Sequence, residues 1–245
     1  VTHAHVEDSN HWSSHFDEAL LNQLLLVDRD APVVVANALE GRTQYLDPLT
    51  EAFVRLAVAA SPARLDRDTT HQAMQAALNA GATQAQVLDV LAISTVIGFH
   101  TLTEAIPVLS TLVDSPSDAS DNAGGLPQGA YWDRFSEYIP GFLGPLANRS
   151  PKMLESFLDF AAIPWKSRNL TPQHIEQLYV AIDVAPEHRY LPGLRFHIAN
   201  SLEIGVSPSA LLEVFVCSSD ENPIAALTLG LPVLLQEQAR FHGNV

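Results

Sequence analysis

A self-match at a fixed spacing of 124 residues constrains this chain more than any other feature. LDPLTEAFVRLAVAASP (46–62) aligns with LTPQHIEQLYVAIDVAP (170–186), and LNAGATQAQVLDV (78–90) aligns with LEIGVSPSALLEV (202–214). Identities include Leu46/Leu170, Pro48/Pro172, Ala57/Ala181, Pro62/Pro186, Gly81/Gly205 and Leu88/Leu212. A unit with apolar stripes this broad needs another surface to cover them, so two copies on one chain read as two halves of one body.

Each copy reads as three helices. The first follows Pro48 or Pro172, and the second spans roughly 68–80 or 191–203. The second ends at Gly81 or Gly205, where a residue without Cβ can take positive φ. The third opens on Thr83 with Gln86 three residues on, a capping-box pattern, or on Ser207-Pro208, an N-cap followed by proline at the first helical position. Further helical segments at 17–28, 32–39 and 150–162 precede the copies, and the Asp/Ser/Gly/Pro-rich stretch 114–130 reads as an exposed connector. The expectation is an all-α fold of two tandem units, 1–113 and 131–245.

Composition supports a globular chain, with 47% hydrophobic and 17% charged residues. A net charge of −15 and only two lysines, Lys152 and Lys166, argue against nucleic-acid or anionic-membrane partners, which require basic surface. No apolar run near the roughly 20 residues of a membrane span is read, nor a signal peptide, and a cytoplasmic location is expected. The single cysteine, Cys217, excludes an intrachain cysteine pair.

The repeated pattern of an apolar helix, a helix ending in a Gly-Ala or Gly-Val turn, and a capped apolar helix resembles the carboxymuconolactone decarboxylase and AhpD-like family over about 46–113 and 170–237. The resemblance implies an AhpD-like all-helical fold in a doubled arrangement, and a homo-oligomer with a trimer favoured. In the AhpD-like branch the pattern Cys-x-x-Cys-x-x-x-His precedes a glycine, and here it falls on Tyr190, Gly193, His197 and Gly205. Both cysteines are absent. In the first copy the positions hold Asp66, Thr69, Ala73 and Gly81. Thiol-dependent peroxide reduction needs an attacking thiolate and a resolving thiol, and neither is present there. The decarboxylase branch does not need the pair, and similarity to it implies a small organic acid or lactone as substrate, with decarboxylation or isomerisation.

His197, Asn200 and Ser201 share one helical face. A functional reading makes His197 a proton donor or acceptor, with Arg195 near a substrate carboxylate. A structural reading makes His197 a partly buried histidine bonded to a backbone carbonyl or to Glu176. Asp220 and Glu221 stand where the first copy has Val96 and Ile97, so either the helix ends early and they meet solvent, or they line a polar cavity beside His197. Catalytic candidates are therefore His197, Asp220 and Glu221, and substrate-binding candidates Arg195, Glu176, Asn200, Ser201 and Tyr190. The ten histidines form no metal motif: four (His3, His5, His11, His15) crowd the N-terminus, and His71, His100, His174 and His197 are scattered. No metal and no cofactor is expected. The aromatic-rich YWDRFSEYIPGFLGP (131–145) suits helix packing or a pocket wall. The leading expectation is a non-thiol, decarboxylase-like enzyme; the alternative is a catalytically degenerate ligand-binding or assembly protein of the same fold.

Overall fold

A computed structural model describes residues 16–113 and 126–243. The described residues form helices without strands. In the first half these are α1 (Glu18–Val27), α2 (Ala31–Leu39), α3 (Pro48–Ala59), α4 (Arg67–Asn79), α5 (Gln84–Val96), a 3-10 turn (Ile97–Phe99) and α6 (His100–Val113). In the second they are α7 (Ala130–Tyr138), α8 (Leu143–Arg149), α9 (Pro151–Ala161), α10 (Ile163–Ser167), α11 (Pro172–Val184), α12 (Leu191–Glu203), α13 (Pro208–Cys217) and α14 (Pro223–Gly243). Most of the expected connector (114–125) and the N-terminal histidines lie outside the described residues.

Local chemistry sets these boundaries. Asp47 caps α3 by accepting from the amides of Leu49 and Thr50, and Thr83 and Gln86 complete the expected capping box on α5. Ser207 caps α13 through the amide of Ala210. Gly81 (φ +99°) and Gly205 (φ +85°) end α4 and α12. In both turns the residue after the glycine donates back five positions along the chain, Ala82 to Ala77 and Val206 to Ser201, while the glycine donates to Leu78 or Leu202. The two orphan carbonyls at each helix end are thereby satisfied.

The copies are interlocked. α3 packs against α11 at the centre, α2 of the first unit covers α13 of the second, and α9 and α10 of the second cover α5 of the first. One hydrophobic core runs through both units, from Phe53 and Leu56 on α3 to Leu178 and Ile182 on α11, all fully buried. Each such side chain contributes about 1.5–3 kcal/mol relative to exposure. A satellite core joins the aromatic segment on α7 and α8 (Phe135, Phe142) to Phe157 and Phe196.

Two buried carboxylates tie the units crosswise. Glu213 on α13 accepts from the amides of Gln44 (2.6 Å), Tyr45 (2.8 Å) and Leu46 (2.8 Å). Its repeat counterpart, Asp89 on α5, accepts from Ser167 and Asn169 before α11. Each carboxylate thus fixes the loop that leads into the other unit's first repeat helix.

One expectation changes. The helical run Gln84–Val113 contains an 18-residue window with hydropathy 1.5, apolar and long enough by composition to cross a bilayer. Within it α5 commits Val87, Val90 and Ile93 to the core.

Candidate functional site

His197 lies on α12 opposite Glu176 of α11, two helices that pack along their length. Its Nδ1 is 2.7 Å from Oε2 of Glu176. A carboxylate only accepts, so Nδ1 carries the proton of this bond and Nε2 is left without a role in it. Asn200 donates Nδ2–H to the other Glu176 oxygen at 3.3 Å and accepts at Oδ1 from Arg134 at 2.6 Å. Arg134 in turn pairs with Glu203. The ring of Tyr179 stacks on His197 with centroids 4.4 Å apart, and burial pushes its phenol well above the usual range. Four of the expected residues therefore share one helix pair: His197, Glu176, Asn200 and the buried Ser201, whose Oγ has no partner among the described residues.

His197 is on the wall of a cavity of about 440 Å³. Tyr131, Trp132 and Phe135 of α7 and Trp165 of α10 line it, so the aromatic segment both packs and encloses. Tyr190 also lines it, bonded through its hydroxyl to Thr103 at 2.7 Å. Val96, Phe99, His100 and Thr103 come from the first unit. Among the described residues, no Lys, Arg, Asp or Glu is on the wall.

The remaining expected residues lie elsewhere. Arg195 bonds Glu237 (Nε–Oε1 3.1 Å), sits over the ring of Tyr138, and lines a separate groove with Leu191 and Pro232. Asp220 and Glu221 follow the end of α13 at Cys217, are exposed, and pair with Arg55 and Arg64 of the first unit. The structure does not bring them to His197, because α13 packs on the first unit. Asp220 lines a second cavity of about 150 Å³ with Arg55, Thr69, Gln72 and Ala73. At the 124-residue spacing, these five are the counterparts of Val96, Tyr179, Gly193, Phe196 and His197 in the large cavity. The two cavities are the same site built twice, each from two helices of one unit and the end of the third repeat helix of the other. Asp220 belongs to the small copy, and Glu221 pairs with Arg64 on its wall.

Sequence reading also missed a cluster at the large cavity. His100, expected to stand apart, has His188 beside it: Nδ1 of His100 and Nε2 of His188 are 2.8 Å apart, and they lie 3.9 and 3.8 Å from Oδ1 of Asp183. Asp183 is fully buried, and burial followed by the nearby Glu176 charge raises its pKa well above the usual carboxylate value. Burial, then His188 and His197, lowers His100 to about 2. The row that aligns His197 with Ala73 also aligns Glu176 with Ala52 and Asp183 with Ala59. A polar group where the sister copy has a core alanine was the available signal.

Cys217 is buried and its thiol is pushed up to about 12, first by burial and then by Glu51, Glu213 and Asp220 against the opposing effect of Arg55. It has no cysteine partner in the chain.

No protein-family model matches the chain, and no curated protein does. Among solved structures, the chain is similar to a Burkholderia xenovorans protein provisionally named a gamma-carboxymuconolactone decarboxylase subunit. Identity is 24%, the TM-score is 0.61, and the match covers 94% of this chain and 93% of that one. At that identity the likeness speaks to the fold: this chain has the all-α, doubled AhpD-like fold that its repeat and its resemblance led one to expect.

Proposed function

We propose that the chain is a non-thiol enzyme in which His197 Nε2 moves a proton on a small, predominantly apolar and uncharged substrate. The observation that carries this reading is the Glu176–His197 bond at the wall of an aromatic cavity. A carboxylate that orients an imidazole and stabilises its protonated form is a general acid–base arrangement, worth about 10²- to 10⁴-fold in rate. Of the two substrate classes expected, a lactone suits this wall better than a free organic acid. A carboxylate taken into an apolar cavity without a cationic partner is strongly disfavoured, and Arg195 is engaged elsewhere. Proton transfer next to a lactone carbonyl, giving isomerisation or ring opening, is the reaction class that one base on an apolar wall can support. Assembly as a homo-oligomer, a trimer by preference, belongs to the same proposal and is supported by the exposed apolar stripe Val108, Leu109, Leu112 and Val113 on α6.

A second reading, a ligand-binding protein without turnover, is favoured by the scarcity of polar groups on the wall. A screen of small lactones and neutral carbonyl compounds, with His197→Ala as comparison, separates the two. Turnover lost in the variant supports the enzyme. Unchanged turnover removes His197 from the mechanism, and saturable binding with no turnover selects the second reading.

A further inference from the structure

Asp183 is fully buried, and neither of its carboxyl oxygens has a hydrogen-bond partner among the described residues. A carboxyl group buried without partners is costly, and such a group in a folded protein calls for an ion or a role. The basic groups within 4 Å of it among the described residues are two imidazoles, His100 and His188. No lysine or arginine is there to neutralise it.

Three features of the chain build this cluster. Gly193 leaves room for the carboxylate, since a Cβ there would lie 2.3 Å from Oδ2 of Asp183. Arg189 adopts a left-handed conformation (φ +55°), and Tyr190 N–H returns to the Asp183 carbonyl at 2.9 Å. That turn folds His188 back over the end of α11, at a backbone position a non-glycine residue seldom takes. His100, finally, arrives from the first unit at the start of α6, stacked on Tyr190 with centroids 3.9 Å apart.

We propose that Asp183, His100 and His188 bind a divalent first-row transition ion, zinc or iron, at the wall of the cavity. The triangle formed by Oδ1 of Asp183, Nδ1 of His100 and Nε2 of His188 has sides of 3.9, 3.8 and 2.8 Å. Its circumradius is about 2.1 Å, so one point is equidistant from the three atoms at the ~2.0–2.2 Å expected of Zn–N and Zn–O bonds. Two imidazoles and one carboxylate are a donor set suited to these ions, and three protein ligands leave coordination positions open. The two imidazoles face each other nitrogen to nitrogen, with ring centroids 5.0 Å apart and planes 20° apart. Of the three, His100 lines the cavity, which puts the cluster beside the space where a small molecule would sit. The first unit has Ala59 and Arg64 at the positions of Asp183 and His188, so the chain carries this donor set once. The site goes beyond the proton-transfer reading and stands without it.

The test uses the full chain with His3, His5, His11 and His15 replaced by alanine, since those four side chains offer a competing site. Zn²⁺ is titrated by calorimetry and Co²⁺ by its visible absorption. The expected result is a single equivalent per chain, unchanged by His197→Ala and weakened on the order of 100-fold or more by Asp183→Asn and by His188→Gln. Asp183 is in the core, so Asp183→Asn can fail to fold; His188→Gln, at a partly exposed turn, then decides. Absence of saturable binding in the folded chain overturns the proposal, as does binding that His188→Gln leaves intact.

Discussion

Gly193 and Asp183 leave no room for a side chain between them: a Cβ on Gly193 would meet Oδ2 of Asp183 at 2.3 Å and the ring of Tyr190 at 2.5 Å. The space beside Gly193 is filled by a carboxylate from the neighbouring helix. Gly193→Ala is expected to cost about 1–3 kcal/mol by overpacking. In an Asp183→Ala background the same change costs measurably less, because one of the two obstructing groups has gone. Urea unfolding of the four-member cycle gives the coupling directly. Additive costs would mean that the two residues do not meet.

The crosswise carboxylates carry unequal loads. Glu213 serves three backbone amides, which cannot turn away, whereas Asp89 serves two side chains that can reach water. Glu213→Ala should cost about 2–4 kcal/mol and Asp89→Ala about 1–2 kcal/mol. Chemical denaturation measures both, and an equal or reversed order would contradict this reading of the two anchors.

His174 supplies a pH dependence. Burial lowers its pKa against the opposing pull of Asp47, and its Nδ1 accepts from the amide of Thr171 in the capping box of α11. The folded chain therefore resists protonating a group that the unfolded chain protonates near pH 6.5. Stability is fully present above that pH and falls as the pH drops from it towards the lower folded value. Glutamine keeps the capping acceptor without titrating, so His174→Gln should reduce the slope of melting temperature between pH 7 and 5, the remainder coming from His100 and His188, which burial also lowers. A slope identical to that of the parent chain would exclude His174 as its source.

Cys217 should be silent towards thiol reagents. With its thiol pushed up to about 12 and its side chain buried, almost none is thiolate at pH 8. Reaction with a disulfide reagent is expected only at the rate of unfolding, and to complete at once in denaturant. Rapid labelling of the folded chain would show the sulfur to be accessible.

The helices were legible because their signals are local. Thr83, Ser207, Pro48 and Pro172 start elements, and Gly81 and Gly205 stop them, within four residues of the groups they satisfy. His197, Glu176 and Asn200 were legible for the same reason, lying on two adjacent helices of one unit. What a self-match does not contain is which copy covers which. Asp220 was aligned correctly with Val96, yet each of the two lines the opposite unit's cavity. His100 and His188 are 88 residues apart, in different units, and only the crossing of the units makes them neighbours. The Asp183 position was visible as a departure from Ala59 but carries no motif on its own.

That crossing has a further consequence. Two identical chains paired about a two-fold axis must carry two identical sites, because every substitution appears in both. Joined in one polypeptide, the copies escape that constraint while keeping the geometry that made them a pair. One cavity is lined by Arg55, Arg64 and Asp220 and measures about 150 Å³; the other is walled by aromatic rings and measures about 440 Å³. The chain can thus specialise one member of the pair while the other is free to serve as its buttress.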